Sequence, residues 1–337
     1  MDRCRSTQRP CESQRGKLKV LFTSYGSIAQ KHIAIIKNSY SEFSIGVLRG
    51  LVKEKAGNLE TFYDINDAID WKPDVVLITS PAIYHIEQAL IFASHGCHLY
   101  IEKPLSVNLD GITDLEEIAR SKDIVLKVGY NLRHLPVIRE LKKIISNAKF
   151  GKVYSLRTEV GQWLPDWRPG IDYRKSVTAK KELGGGALLE LSHEVDYLRF
   201  VFGEVCSVMA DINTVSDLNI NVEDNVEAIL KFHAGFTGTL HLDLLRRDKT
   251  RKCLIICEKG TIIADLLSSR ISTISSCGES IDRKIEPVDS YEKSLEEFFA
   301  AVKLGGDSEI SLSEGQKSLS VTLAMKRSAE LKRMVQV

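Results

Sequence analysis

The chain has 337 residues, 43% hydrophobic and 27% charged, with a net charge of +1. This length predicts two domains with sizeable cores, and so balanced a charge gives no global field for nucleic acid or a membrane surface. The apolar runs are strand-length, well short of the roughly 20 residues of a membrane span.

The opening MDRCRSTQRPCESQRGK has no apolar h-region and reads as a disordered tail over 1–16, not a secretory signal. KLKVLFT (17–23) is a short buried strand. A turn, SYGSIA, then enters a helix with Ile28, His32, Ile35 and Ile36 at helical spacing. Residues 43–48 form a second strand and VVLITS (75–80) a third. Ser80-Pro81 breaks the third, and IYHIEQALIFASHG is a helix closed by Gly96. HLYIEKP is the fourth strand, 110–121 a helix and IVLKVGYN the fifth strand. Strands alternating with helices predict an α/β, doubly wound parallel sheet of Rossmann type over 17–130. From Asn131 the pattern changes. A helix over 134–147 is followed by closely spaced strands, one helix over 182–202, and closing helices over 291–304 and 312–334. Residues 131–337 thus form a second α/β domain on a largely antiparallel sheet. The seven cysteines lack any CxxC pair, which argues for free thiols in a reducing cytoplasm and against a metal site.

In open parallel sheets, ligands bind outside the carboxyl ends of the strands. The first turn, with Ser24, Gly26, Ser27 and Ile28, is a degenerate dinucleotide fingerprint in which Gly26 and Ala29 fit and Ser24 does not. The second strand ends in Arg49 with no acidic residue beside it. An arginine there accommodates the extra phosphate of NADP, so NADP is favoured over NAD. Ser80 and Pro81 follow the third strand and face the middle of the cofactor. His85 lies just beyond and serves either packing or catalysis. The fourth strand delivers Glu102, Lys103 and Pro104 to its carboxyl end, where the lysine can move a proton at a substrate oxygen. Downstream, Gly184, Gly185 and Gly186 precede Glu190, His193 and Asp196, spaced by three as on one helix face. The glycines would let the chain approach a ligand, and His193 suits proton relay beside Lys103. The polar-aromatic loop over 161–175 carries Trp163, Trp167, Arg168, Tyr173 and Arg174. Such groups suit a sugar ring or an anionic group, or simply pack on the sheet.

Taken together, SYGSIAQKH, TSPAIYH, HGCHLYIEKPL, VGYNLRH and GGGALLELSHEVDYLRFVFG strongly resemble the Gfo/Idh/MocA family (glucose–fructose oxidoreductase, inositol dehydrogenase, rhizopine catabolism protein). The resemblance covers nearly all of 17–337. It implies a Rossmann domain followed by an α/β domain with an open, mostly antiparallel sheet that commonly joins dimers or tetramers. It also implies hydride transfer between NAD(P) and a sugar carbon. It maps the family's lysine onto Lys103 and its histidine onto His193; read with the residues above, Glu190 joins them in catalysis although the family commonly has aspartate there, and Ser24, Gly26, Ser27, Ile28, Arg49, Ser80, Pro81, His85, Glu102 and Lys103 are expected at the cofactor. Asn131, Arg133, Trp167, Arg168, Tyr173 and Glu190 fall to the substrate. The stretch 163–186 looks like a branch tied to bacterial surface-polysaccharide and sialic-acid-like sugars. A non-catalytic cofactor-binding regulator of the same fold, and an epimerase or glycosidase acting by transient oxidation, stand as alternatives.

Overall fold

The computed structural model describes residues 17–50 and 52–337; the tail expected over 1–16 lies outside them. The first unit runs β1 (Lys19–Phe22), α1 (Ser27–Ser39), β2 (Ser44–Leu48), β3 (Glu60–Phe62), α2 (Ile65–Asp70), β4 (Val75–Ile78), α3 (His85–Ser94), β5 (His98–Ile101), α4 (Ile112–Lys122) and β6 (Leu126–Val128). All pairings among its strands are parallel, in the order β3-β2-β1-β4-β5-β6. Its central strands are continuous apolar runs because both sheet faces are covered. Val20, Phe22, Val75, Leu77 and Tyr100 pack on one face, whereas Leu21, Val76, Ile78, Leu99 and Ile101 pack on the other.

The second unit begins with α5 (Pro136–Ser146) and β7 (Val153–Gly161). Short 3₁₀ turns then lead to α6 (Ala187–Glu190) and α7 (His193–Phe202). Next come β8 (Val205–Asn213), β9 (Asn225–Phe232), β10 (Thr237–Asp243), β11 (Thr250–Cys257), β12 (Gly260–Asp265), β13 (Arg270–Ser275) and β14 (Ser280–Lys284). The chain closes with α8 (Ser290–Leu304), α9 (Leu312–Leu331) and β15 (Val335–Gln336). The second sheet is β14-β13-β12-β11-β7-β10-β9-β8-β15, antiparallel except for the parallel β7–β10 pair. Strict alternation in β9, with Val226, Ala228, Leu230 and Phe232 buried between exposed residues, shows one covered face. Helices α5, α7 and the later turns of α9 cover that face. On the opposite face Met209, Ile229, Ile256, Ile263 and Ile274 stand exposed.

Four strands escaped the sequence reading for a common reason: β3, β13, β14 and β15 are short or carry few buried residues. The helix expected over 182–202 is instead a 3₁₀ turn at Lys181–Leu183, then α6 and α7. A further difference concerns the domain boundary at 131. Helix α8 returns to the first unit, where Leu295, Phe298 and Phe299 complete the sheet face shared with Ala29, Ile33 and Ile36 of α1. Tyr100 Oη and Ser294 Oγ meet at 3.0 Å beneath it. At the start of α9, Ile310, Leu312 and Leu319 likewise join the core on the other sheet face. If α8 is core to the first sheet, Phe298→Ala costs about 3–5 kcal/mol, read as a lowered midpoint of denaturant unfolding. An unchanged midpoint would show that the helix is an accessory.

Candidate active site

The strand order changes direction between β1 and β4, which opens a crevice at their carboxyl ends. Ser24 follows β1 there. Its backbone is not in the left-handed region, so glycine is not required. Its hydroxyl donates to the Thr79 carbonyl at 2.8 Å and lies 3.0 Å from Thr79 Oγ1, clamping the two strand ends together. Gly26 caps α1 with no side-chain hydrogen bond and no acidic residue in the first turn, leaving the helix N–H groups for an anion. A side chain on Gly26 would meet only Ser24 Oγ, at 3.9 Å, so the backbone faces open space.

Two cavities share Ser24, Gly26, Ser80 and Pro81. One, of about 580 Å³, extends past Leu48 and Arg49 to Tyr84 and Gln88. The other, of about 600 Å³, runs past Ser27, Ile28 and Lys31 to Glu102 and Lys103, and on to Arg168, Lys175 and Glu190 of the second unit. An extended dinucleotide fits this double groove: helix N–H groups lie at the shared waist, and a flat cationic group, Arg49 over the Tyr25 ring at 5.6 Å, lies at one end. His85 Nε2 and Nδ1 lie 2.8 and 2.9 Å from the Ser80 and Pro104 carbonyls. Burial lowers its pKa against the pull of those carbonyls; the neutral ring has one N–H and so donates to only one of the two.

At the far end, Lys103 Nζ lies 3.1 Å from Glu190 Oε2 and 3.0 Å from the Glu190 carbonyl oxygen. Thr178 donates to the other carboxylate oxygen at 3.1 Å. Burial alone would raise the Glu190 carboxyl, but Lys103, Thr178 and the charge of Arg168 hold it below the ordinary value, so it stays ionised at neutral pH. Glu102 is buried and meets His32 Nε2 at 2.6 Å.

In the glycine run Gly184 lines the cleft, whereas Gly185 and Gly186 bring chain to chain. A side chain on Gly185 would collide with the Val177 and Thr178 carbonyls. One on Gly186, at φ +107°, would collide with Glu223. This packing sets Glu190 against Lys103. Glu190, His193 and Asp196 do not line one face of a single helix, because the chain breaks at Leu191–Ser192. His193 is 7% exposed, sits edge-on to Tyr130 and has no partner for Nδ1. Burial, then the charges of Lys103 and Arg251, hold its pKa well below 6.5, so the imidazole is neutral.

Four residues expected at the substrate are not among those lining this cleft. Arg133 is buried and engaged bidentately by Asp196 at 2.7 and 2.8 Å, with Glu314 at 3.0 Å. Asn131 donates to Ser290 Oγ at 2.7 Å, also buried. Trp167 donates to the Gln162 carbonyl and Tyr173 to the Leu218 carbonyl, and both rings pack on the second core. Conversely, Lys31, Lys175 and Tyr291 line the cleft without having been anticipated. Tyr291 arrives on α8, two hundred and sixty residues after Lys31, whose ammonium sits 3.7 Å from its ring centroid. No local signal ties the two together.

Comparison with known proteins fits this geometry. Residues 18–130 match the oxidoreductase family with an NAD-binding Rossmann fold, and 138–263 match the GFO/IDH/MocA C-terminal domain. The chain belongs to the Gfo/Idh/MocA oxidoreductase family. It is 29% identical over 303 residues to myo-inositol 2-dehydrogenase of Thermotoga maritima, covering 85% of this chain and 86% of that one. It is 32% identical over 158 residues to levoglucosan dehydrogenase of Pseudarthrobacter phenanthrenivorans, covering 44% and 40%. Among solved structures, a levoglucosan dehydrogenase with NADH superposes with a TM-score of 0.83 at 21% identity, over 95% of this chain and 99% of that one. The WlbA dehydrogenase of Bordetella pertussis, in complex with NADH and UDP-GlcNAcA, gives 0.81 at 21%, over 96% and 98%. The chain is therefore an oxidoreductase with an NAD-binding domain. No helix among its described residues is long and apolar enough to cross a membrane.

Two outcomes test these placements. Arg133→Ala strands Asp196 in the interior and lowers stability by about 3–5 kcal/mol while cofactor affinity is retained; a stable variant that no longer binds sugar would return Arg133 to the substrate. Because the folded pKa of His193 lies below its unfolded value, its contribution to stability falls as pH drops below 6.5. His193→Gln should therefore lose less stability than the wild type between pH 7.5 and pH 5, as read by urea midpoints. Parallel loss in both would put the titration elsewhere.

Proposed function

We propose that this member of the family transfers hydride at a secondary alcohol or ketone carbon of a sugar or activated sugar. The observation that carries the reading is Lys103: its ammonium stands at the end of the dinucleotide groove, held by a carboxylate from the opposite domain. A bound nicotinamide supplies the hydride acceptor or donor. As the ammonium, Lys103 gives a proton to the developing alkoxide in the reductive direction; as the neutral amine, it takes one from the alcohol in the oxidative direction. Glu190 holds the ammonium in place and balances its charge. The neutral His193, buried behind the cleft lining and near enough for the Lys103 charge to act on it, assists that proton transfer. Glu102, fixed by His32, anchors the strand end that carries Lys103.

Ser24, Gly26, Ser27, Ile28, Ser80 and Pro81 hold the cofactor through the shared waist of the groove. Arg49, stacked on Tyr25, reads its adenosine end and favours NADP over NAD; its nearest carboxylate, Glu54, is exposed and 3.9 Å away. An activated-sugar substrate, of the kind used in surface-polysaccharide or sialic-acid-like pathways, is supported by the fold shared with WlbA, solved with UDP-GlcNAcA. The exposed apolar face of the second sheet, where Met209 pairs with Ile229, supports a homodimer or homotetramer. The buried free thiols Cys97, Cys253 and Cys257 support a reducing, cytoplasmic setting.

Lys103→Ala should lower turnover by roughly 10²–10⁴-fold with cofactor still bound, measured by nicotinamide absorbance and fluorescence; undiminished turnover removes Lys103 from the chemistry. Titration with NADPH and NADH should show tighter binding of NADPH, with the preference lost in Arg49→Gln. A preference for NADH in the wild type would reverse the cofactor assignment.

A further inference from the structure

The cleft carries more positive charge than the hydride-transfer reading uses. Lys31, Lys103, Arg168 and Lys175 line it, against two carboxylates, Glu102 and Glu190. Both carboxylates are engaged, Glu102 by His32 and Glu190 by Lys103 and Thr178. Lys31 lies on α1 near the cofactor waist, over the Tyr291 ring. Arg168 and Lys175 remain, and among the described residues neither has a carboxylate partner.

Their loop separates its cations by role. Arg174 makes a bidentate pair with Asp172, at 2.9 and 3.1 Å, and does not line the cleft. Arg168 and Lys175, six residues before and one after it, are unpaired and do line it. The aromatic residues of the same loop, Trp167 and Tyr173, are anchored in the second core, so the loop carrying Arg168 and Lys175 is fixed rather than trailing in solvent. Arg168 is close enough for its charge to act on Glu190. A guanidinium and an ammonium that line one cleft can together receive a planar or tetrahedral anion.

We infer that the substrate bears an anionic group, a carboxylate or a phosphate, which Arg168 and Lys175 hold at the mouth of the cleft while its alcohol or ketone carbon lies at Lys103. This deepens the hydride-transfer reading and rests on it. Anion binding here acts equally on the ground and transition states, so it sets KM and leaves kcat to Lys103. It also selects against neutral sugars, which leave both cations without a partner.

The test uses the full chain loaded with NAD(H) or NADP(H) and a panel of hexuronates, hexose phosphates and the matching neutral hexoses. Calorimetric titration should show tighter binding of the carboxylates or of the phosphates than of the neutral forms. Whichever class binds identifies the anion. Removing one cation, as Arg168→Gln or Lys175→Gln, should weaken that binding by roughly tenfold and raise KM with kcat little changed. Cofactor affinity and thermal midpoint should stay as in the wild type, since both side chains are exposed. Higher ionic strength should weaken the charged ligands selectively.

Three outcomes overturn the inference. In the first, charged sugars bind no better than neutral ones, or not at all. In the second, the variants bind the charged sugars as the wild type does. In the third, the variants lose affinity for cofactor instead of sugar, which makes the two cations part of the cofactor site. Hydride transfer is judged separately: preferential anion binding without redox turnover of any sugar overturns the proposed reaction and keeps the anion site.

Discussion

The ion pair between Lys103 and Glu190 is the contact on which the arrangement turns. One partner ends a strand of the parallel sheet and the other ends a short helix of the second domain, eighty-seven positions later. The pair is partly buried, with 18% and 19% of the two side chains exposed. Partial burial makes the charges attract more strongly than they would in water, but each also loses hydration. Thr178 and the Glu190 carbonyl offset that loss with further hydrogen bonds. The pair's main effect is positional: it fixes where an ammonium stands relative to the groove.

Different physics delivers each partner. Lys103 is placed by a strand whose residues are buried on both faces. Behind it, Glu102 and His32 form a contact with little access to solvent. Glu190 is placed by close backbone packing, in which Gly185 and Gly186 lie where any side chain would collide with the 177–178 carbonyls or Glu223. Beneath both, a buried network links Arg133, Asp196, Arg199, Ser318 and Glu314 across three helical segments. Such a network costs desolvation and offers only one satisfied geometry. It holds α7 in register, so the neutral His193 stays close to Lys103.

Much of the fold was legible because its signals are local. Val75–Ile78 and Leu99–Ile101 are unbroken apolar runs, and Val226–Phe232 alternates; these patterns report two covered faces and one. The groove was legible from the turn after β1 and from Glu102-Lys103-Pro104, since ligand sites in such sheets lie at strand ends. The unread parts depend on distant partners. Arg133 looks like a substrate residue until Asp196 and Glu314 close around it. Trp167 and Tyr173 look like a sugar platform until the core claims their rings. Tyr291 reaches the cleft only because α8 comes back, and nothing within its own window announces that. Ser24 departs from the expected glycine, yet its hydroxyl joins β1 to β4, a contact visible only once the strands are side by side.

The return of α8 has a mechanical meaning. The polypeptide passes between the units after Tyr130, again before Ser290 and once more along α9, whose early residues sit in the first core and whose later ones sit in the second. A single linker would behave as a hinge. Crossings at three separated points, one of them a helix embedded in both cores, act as a brace. Such bracing resists a change in the separation of the cleft walls. The braced frame, rather than any one linker, thus sets how far Lys103 stands across the groove from the segment over 162–183.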